Sequence, residues 1–544
     1  MKWKLVILLI NSFIFNTIYC QNNCNFYIPT SQNVVNGESI PAGSIICIEP
    51  GLRSYLLIQN VKGTHELPII IINHNGRSIL DTDHFYGIKF SGCNHVRLTG
   101  SGNDNDFYGI KINKVLNGAG ISIDDMSSDI EVDRIEVANT LIGGIYAKTD
   151  PSCTNFQSTR DKFTMYNIKI HDCYLHDIGD EGFYVGSSKF TGQYLANCDT
   201  TVFPHVIEGV EIYNNLIERT GWDGLQVSSA VKDCFIYNNT IRFDSQKETT
   251  YQMSGILIGG GSTCDCYNNT IIDGKGDGID VFGSFSMNIY NNLVVRAGKS
   301  FQPNDPAQSK HGIFIGNTPD QSVAIIRLIH NTIVSPKTTG IRFFNNNTIN
   351  NLIVNNIIVD PGALIDLNEK AYFDHNLGLS QYVYADNFLA EGLTTVKFVE
   401  HTTGNFDLKP DSPAVNRARE SDVLFDINDA PRPHNQLPDI GAYECQDTYA
   451  SVSGLEGENT DELLLVPNPA TDKLKILIRD KDLKIDHIII HSSLGNTFII
   501  NKNQIIQMDQ GVMELNIEML PQGPYLIEVP KGQQSILRKF IKIK

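Results

Sequence analysis

The chain has 544 residues, 41% hydrophobic and 19% charged, which supplies enough apolar material for a core and argues against general disorder. Its 61 acidic against 43 basic residues leave a net charge of −18, so unaided binding of nucleic acid or another polyanion is electrostatically unfavourable. The length exceeds one ordinary domain of roughly 100 to 200 residues and points to several domains or a repeat array.

Residues 1–20 open with Met-Lys-Trp-Lys, followed by the apolar runs Leu5 to Ile10 and Phe13 to Ile18. A basic stretch before an apolar one reads as a secretory signal peptide. Cleavage beside Cys20 leaves 41 basic residues against 61 acidic ones. Bulky Ile18 and Tyr19 disfavour lipid modification of Cys20. No later stretch offers 18 uninterrupted apolar residues, so no membrane-spanning helix is expected. Ten Cys remain after cleavage, and in an oxidising compartment that even number permits disulfides without giving their pairing. Cys264 and Cys266 lack the second pair that a zinc site needs.

From about residue 130 to 367 one phrase returns: Ile212-Tyr-Asn-Asn-Leu-Ile217, Ile236-Tyr-Asn-Asn-Thr-Ile241, Cys266-Tyr-Asn-Asn-Thr-Ile271, Ile289-Tyr-Asn-Asn-Leu-Val294, Leu328-Ile-His-Asn-Thr-Ile333 and Ile353-Val-Asn-Asn-Ile-Ile358. A second phrase follows most copies, as Gly182-Phe-Tyr-Val185, Gly224-Leu-Gln-Val227, Gly255-Ile-Leu-Ile258, Gly278-Ile-Asp-Val281, Gly312-Ile-Phe-Ile315 and Gly340-Ile-Arg-Phe343. Short β-branched strands at such a period predict an all-β chain, with parallel coils stacked at roughly 4.8 Å. Asn215, Asn239, Asn269, Asn292, Asn331 and Asn356 would then form a ladder of side-chain amides at one turn. Tyr213, Tyr237, Tyr267 and Tyr290 form a column beside it, read as ring-on-ring packing in preference to a sugar platform. Cys234 and Cys264 fall at equivalent places and stack.

These phrases resemble the right-handed parallel β-helix family of pectate, alginate and chondroitin lyases and polygalacturonases. Ile45-Ile-Cys-Ile-Glu-Pro-Gly51 resembles its N-terminal coils, and Asp411-Ser-Pro-Ala-Val415 with Pro438-Asp-Ile-Gly-Ala-Tyr-Glu444 resembles a closing segment found after many exported β-helices. The resemblance implies a right-handed β-helix with its closing segment over residues 21–445. A polar linker at 446–460 leads to residues 461–544, where alternating strands between Pro-Asn-Pro, Leu-Gly-Asn and Pro-Gln-Gly turns suggest a small β-sandwich. That segment resembles the C-terminal sorting domain of type IX secretion substrates. The type IX machinery is therefore an expected partner, and the expected destination is secretion or attachment to the outer-membrane surface.

In a strand, the middle residue of Gly-Ile-x-Val points away from the core. Tyr184, Gln226, Leu257, Asp280, Phe314 and Arg342 are accordingly expected in one exposed column. Glu181, Asp223, Ser254, Asp277, His311 and Thr339 are expected in the next. Asp223, Asp277 and Asp280 are candidate Ca²⁺ ligands. Lys310, His311 and Arg342 are candidate bases or charge stabilisers for β-elimination on an acidic extracellular polysaccharide. Glu181, Tyr184, Trp222 and Gln226 are the expected sugar contacts.

Gly276-Asp-Gly-Ile-Asp280 with Lys310-His-Gly-Ile-Phe-Ile-Gly316 resembles the calcium and base region of family-nine-type pectate lyases. It departs from them at Phe314, where those enzymes carry their Lys, and at Gly276, where they usually carry a second Asp. A hydrolase would use the same carboxylates as acid and base. A non-catalytic adhesin would use the inserted loops at 148–165, 187–208, 243–254 and 299–311 as a binding face. His171, Asp172, His176, Asp177 and Asp180 cluster in the sequence and read as turn polarity rather than a metal site. The solenoid is expected to be a monomer.

Overall fold

The computed structural model describes residues 24–446 and 463–542, apart from short breaks of which the longest are 303–308, 317–323, 376–380 and 479–484. The signal peptide expected at 1–20 and, past Gln446, the linker expected at 446–460 lie outside the described residues.

Three parallel sheets of 13, 12 and 12 strands wind through residues 26–390, each coil giving one strand to each sheet. Cys264–Tyr267, Thr270–Ile272 and Asp277–Val281 form one such coil. The first sheet runs from Phe26–Ile28 to Tyr382–Ala385 and the second from Gly51–Arg53 to Phe388–Ala390. The third, from Val34–Asn36 to Phe373–His375, carries the Gly-Ile-x-Val phrases. The coils therefore begin well before the legible repeat. In-register pairing stacks like on like, so Ile212, Ile236, Cys266, Ile289, Leu328 and Ile353 form one inward column. All six are fully buried.

The Tyr-Asn-Asn phrase makes the tight turn between the first and second sheets. Its first Asn takes the left-handed conformation that Asn tolerates, with φ of 55°, 54° and 53° at Asn238, Asn268 and Asn291. Its second Asn forms the expected ladder, which continues to Asn387. Asn239 Nδ2 donates to Asn269 Oδ1 at 3.0 Å and to the Ile212 carbonyl at 2.9 Å, and the same pattern repeats from coil to coil.

The tyrosines stack at 4.8–5.0 Å with planes within 7°, and His171 caps the column at 4.6 Å from Tyr213. Each inner ring face is thus covered by the next ring. A second device is the glycine column. A Cβ on Gly278 would lie 2.4 Å from the Gly312 carbonyl oxygen and 2.4 Å from Val294 Cγ1, so close approach of coils, rather than turn formation, requires glycine there.

Disulfides join Cys24 to Cys47, Cys153 to Cys198, and Cys234 to Cys264, the last pair stacking across adjacent coils as the register implies. Cys266 is a buried free thiol in the core. His171 bonds Asp172 and Glu131, whereas His176 bonds Asp177 and Glu136, so the sequence cluster divides between two networks. Glu131, Asp133 and His171 could reach one ion, but Arg97 already lies 3.1 Å from Glu131 and 2.9 Å from Asp133.

The closing segment covers the outer face of the second sheet, burying Val396, Phe398, Phe406 and Leu408 against Val295, Val334 and Val359. Its Asp-Ile-Gly-Ala-Tyr-Glu motif is a clasp. Glu444 accepts the His434 and Asp439 amides and pairs with fully buried Arg432, which reaches His330 of the solenoid at 3.1 Å. Residues 463–542 form a separate sandwich of two four-stranded antiparallel sheets around Leu474, Ile476, Ile490, Ile527 and Phe540. Among the described residues, no helix is long and apolar enough to cross a membrane.

Asn269 has four ladder bonds and no solvent exposure, so Asn269→Ala orphans buried amide groups in two neighbouring coils. At roughly 1–3 kcal/mol for each orphaned group, the loss is expected to reach about 3 kcal/mol in chemical denaturation. Asn387→Ala, at the half-buried end of the ladder, should cost less.

Candidate functional site

Successive coils of the third sheet bring Tyr184, Gln226, Leu257, Asp280, Phe314 and Arg342 into direct register, as the second phrase predicts. The column faces outward, but it is not an exposed strip. Gln226, Leu257 and Asp280 are only 3%, 9% and 7% exposed because the inserted loops rise around them. Ser188, Thr250 to Met253 and Ser309 to His311 come from three of those insertions and wall a cleft of about 830 Å³. Gln226, Asp277, Asp280, Lys310, His311 and Arg342 line it, together with Phe282, Phe314 and Phe344.

The second predicted column is deeper. Glu181, Asp223, Ser254, Asp277, His311 and Thr339 are all buried, and their carbonyls carry the ladder that joins the phrase glycines. Asp223 has no exposure and does not line the cleft. Glu181 accepts the Tyr146 hydroxyl at 2.7 Å, and Tyr184 sits between the Tyr146 ring and Lys148. Half-buried Trp222 lies in the coil of Asp223, outside the cleft lining. Of the four expected sugar contacts, the cleft therefore takes in Gln226.

Asp277 and Asp280 stand on one strand in opposite electrostatic settings. Asp277 accepts Lys310 Nζ at 2.8 Å through one oxygen and the His311 amide at 2.5 Å through the other. Asp280 has no such partner, and its Oδ1 is buried without a hydrogen bond. Burial, and then the neighbouring Asp277 charge, hold its carboxyl well above the usual range.

Burial also raises Asp223 to about 8, against the hydrogen bond from Ser254 Oγ at 2.6 Å. Asp244, at the start of an inserted loop, is raised to about 6 by the same cause. Burial opposes the charge of Lys310, but the adjoining Asp277 carboxylate, in contact at 2.8 Å, counters it, and the ammonium is held above its ordinary range. His311 is pushed down to about 4 by burial and is neutral at ordinary pH. Its ring lies between Ser309 Oγ at 3.0 Å and Thr338 Oγ1 at 3.3 Å. Arg342 reaches Ser309 Oγ at 3.2 Å and Asp374 at 3.4 Å, and stands over the Phe344 ring.

The expected Ca²⁺ ligands fit a cation poorly in this arrangement. Both oxygens of Asp277 are engaged, and Asp223 lies beneath the cleft floor. Among the described residues, the two trios with ligand atoms all within 4.8 Å of one another are Cys24, Cys47 and His74, and Glu131, Asp133 and His171. Asp223, Asp277 and Asp280 do not converge in that way. Ser309 and Tyr251 join the cleft lining without a sequence signal, since inserted loops carry no repeat register.

A family model described as right handed beta helix region matches residues 167–358. Another, described as secretion system C-terminal sorting domain, matches residues 465–544. The chain is an exported right-handed parallel β-helix that carries a type IX sorting domain, and its place is outside the cell or on its surface. No curated protein matches it.

Among solved structures it is similar to a GH136 lacto-N-biosidase from Eubacterium ramulus, at 13% identity over 67% of each chain with a TM-score of 0.41. It is similar to an alginate lyase from a Paenibacillus species at 16% identity, over 59% of this chain and 97% of that one, with a TM-score of 0.35. A pectate lyase, Pel9A, aligns at 14% identity over 77% of this chain and 96% of its own, with a TM-score of 0.37. Likenesses this distant transfer no reaction.

Asp223 supplies a pH test. Its carboxyl is neutral in the fold up to about 8, but ionises from about 3.8 once unfolded, so its contribution to stability is lost as pH rises through that window. Thermal melts of the parent should therefore fall between about pH 4 and pH 8, and Asp223→Asn should flatten part of that fall and melt higher than the parent at about pH 8. An identical slope in the variant contradicts the assignment.

Proposed function

We propose that the chain is an exported carbohydrate-active enzyme that cleaves an acidic glycan by hydrolysis in the third-sheet cleft. The reading is carried by the Asp277 and Asp280 pair. One strand presents to the same cleft a carboxylate bonded by Lys310 and the His311 amide and a second carboxyl that burial holds well above the usual range, the contrast of settings that glycoside hydrolysis uses. Asp280 is the proton donor to the departing glycosidic oxygen. Asp277, held by Lys310 and the His311 amide, is the carboxylate that serves the anomeric carbon or its attacking water. Lys310 acts by fixing the position of Asp277, because an ammonium tied to a carboxylate is a poor base. Arg342 and Ser309 offer donors to a sugar carboxylate on the open side, and Phe282, Phe314 and Phe344 offer apolar surface to ring faces. Export by the sorting domain suits a polymeric substrate met outside the cell.

Elimination is the second reading, favoured by the neutral His311 ring beside Arg342. A neutral imidazole takes a proton, and the guanidinium balances a uronate carboxylate. In this reading His311 removes the C5 proton of the uronate, and Asp280 protonates the leaving oxygen. The Ca²⁺-assisted form expected from the sequence would require the cation to displace Lys310 from Asp277. That requirement counts against the calcium form, and the pairing of Asp277 with Asp280 on one strand favours hydrolysis over elimination by His311 alone.

The exported chain, incubated with polygalacturonate, alginate, chondroitin and a neutral xylan, should release reducing ends with no rise in ultraviolet absorbance and equally well with or without chelator. Asp280→Asn and Asp277→Asn should each lower the rate by about 10²-fold or more. An ultraviolet-absorbing unsaturated product transfers the case to elimination, and its abolition by chelator restores the calcium form. No product from any polymer, with binding retained, makes the cleft a glycan-recognition site.

A further inference from the structure

Tyr251 stands on the rim of the cleft and is 91% exposed, the most open of the described large hydrophobic side chains. Its backbone is also left-handed, with φ of 66°. A bulky L-residue adopts that angle only where its surroundings impose it, as they do at many turns of this solenoid. Phe243, Ser245 and Glu248 of the same loop share the conformation, at 56°, 62° and 52°.

The loop is firmly held despite these angles. The amides of Ser245, Gln246 and Lys247 donate to the carbonyls of Trp222, Thr220 and Gly221 in the preceding coil. Glu248 pairs with Lys275 at 2.6 Å, and the Met253 carbonyl accepts the Asp277 amide at 2.9 Å. A left-handed, anchored segment thus lifts an aromatic ring into solvent two residues before a direct contact with the Asp277 strand. Among the described residues, none packs over the 91% exposed ring.

We infer that Tyr251 is a sugar-stacking platform, which grips one ring of the glycan chain at the cleft rim while the bond to be cut lies over Asp277 and Asp280. The inference rests on reading the cleft as a glycan-cleaving site. Its chemistry follows from the cleft walls. Phe282, Phe314 and Phe344 supply apolar faces, whereas Asp280, Ser309, His311 and Arg342 supply hydrogen-bonding groups. A ligand that satisfies both must be apolar on its faces and polar around its edge, as a pyranose ring is. An aromatic platform contributes to binding in ground and transition states alike, so its effect falls on KM and leaves kcat in place.

The test uses the polysaccharide that the parent cleaves best in the panel, and oligosaccharides cut from it. Tyr251→Ala should raise KM about tenfold with kcat within about twofold, and should weaken oligosaccharide binding to the Asp280→Asn chain by the same factor. Tyr251→Phe and Tyr251→Trp should bind as the parent does. Tyr251→Gly, which removes both the ring and the unfavourable φ, should lose affinity like Tyr251→Ala while melting no lower than the parent. Cleavage with unchanged KM in Tyr251→Ala overturns the platform and leaves the proposed function standing. A parent that neither binds nor cleaves any polymer of the panel overturns both.

Discussion

Parallel coils in register place each side chain above and below its own counterpart, roughly 4.8 Å away. Everything else in this molecule answers to that constraint. Apolar residues meet it easily, as the Ile212 to Ile353 column shows. Amides gain by it, because each ladder Asn donates to the next while its oxygen caps a main-chain amide. Aromatic rings meet it by lying flat on one another from His171 to Tyr290. Carboxylates meet it badly, since like charges in one column repel across a short distance of low polarity. The second column, with Glu181, Asp223 and Asp277, is therefore where the solenoid departs from simple repetition. Ser254 separates two of the acids, Lys310 pairs with one, and the hydroxyls of Tyr146 and Ser254 donate to the others.

That departure is also the source of chemical potential in the cleft. A carboxylic acid kept neutral at ordinary pH is of little use to stability, because the unfolded chain ionises it freely. Beside a second carboxyl in the same cleft it is suited instead to donating a proton. The inserted loops make the arrangement possible. They exclude water from Gln226 and Asp280, bring in Lys310, and carry Tyr251 to the rim. The Arg432 and Glu444 clasp belongs to the same architecture but does different work, locking the closing segment against a sheet face that would otherwise remain apolar and open.

Much of this could be read from the chain because a stacked repeat converts sequence position directly into spatial position. Two phrases place Asp277 and Asp280 in known columns, set Arg342 two coils beyond Asp280, and identify the asparagine ladder by residue. Periodicity says nothing, however, about what covers a column. Side chains expected on an exposed strip lie at the bottom of a cleft because loops at 187–208, 243–254 and 299–311 stand over them. Asp244 and Tyr251 come from those loops, where no register exists to betray them. The calcium expectation shared this weakness: it relied on the spacing of carboxylates and could not foresee that Lys310 would occupy Asp277. The sorting domain was legible for a different reason, since its turn motifs and basic tail are local features that need no tertiary context.

The account turns on the Asp280 carboxyl, raised by burial, keeping its proton at neutral pH beside Asp277. Infrared difference spectra of the exported chain at about pH 7, compared with Asp280→Asn and Asp223→Asn, observe that state directly through the carbonyl stretch of the protonated acid. The account predicts protonated-carboxyl absorption in the parent, part of which is lost in Asp280→Asn and a separate part in Asp223→Asn. A parent with no protonated carboxyl band at that pH, or a band indifferent to Asp280→Asn, would contradict it.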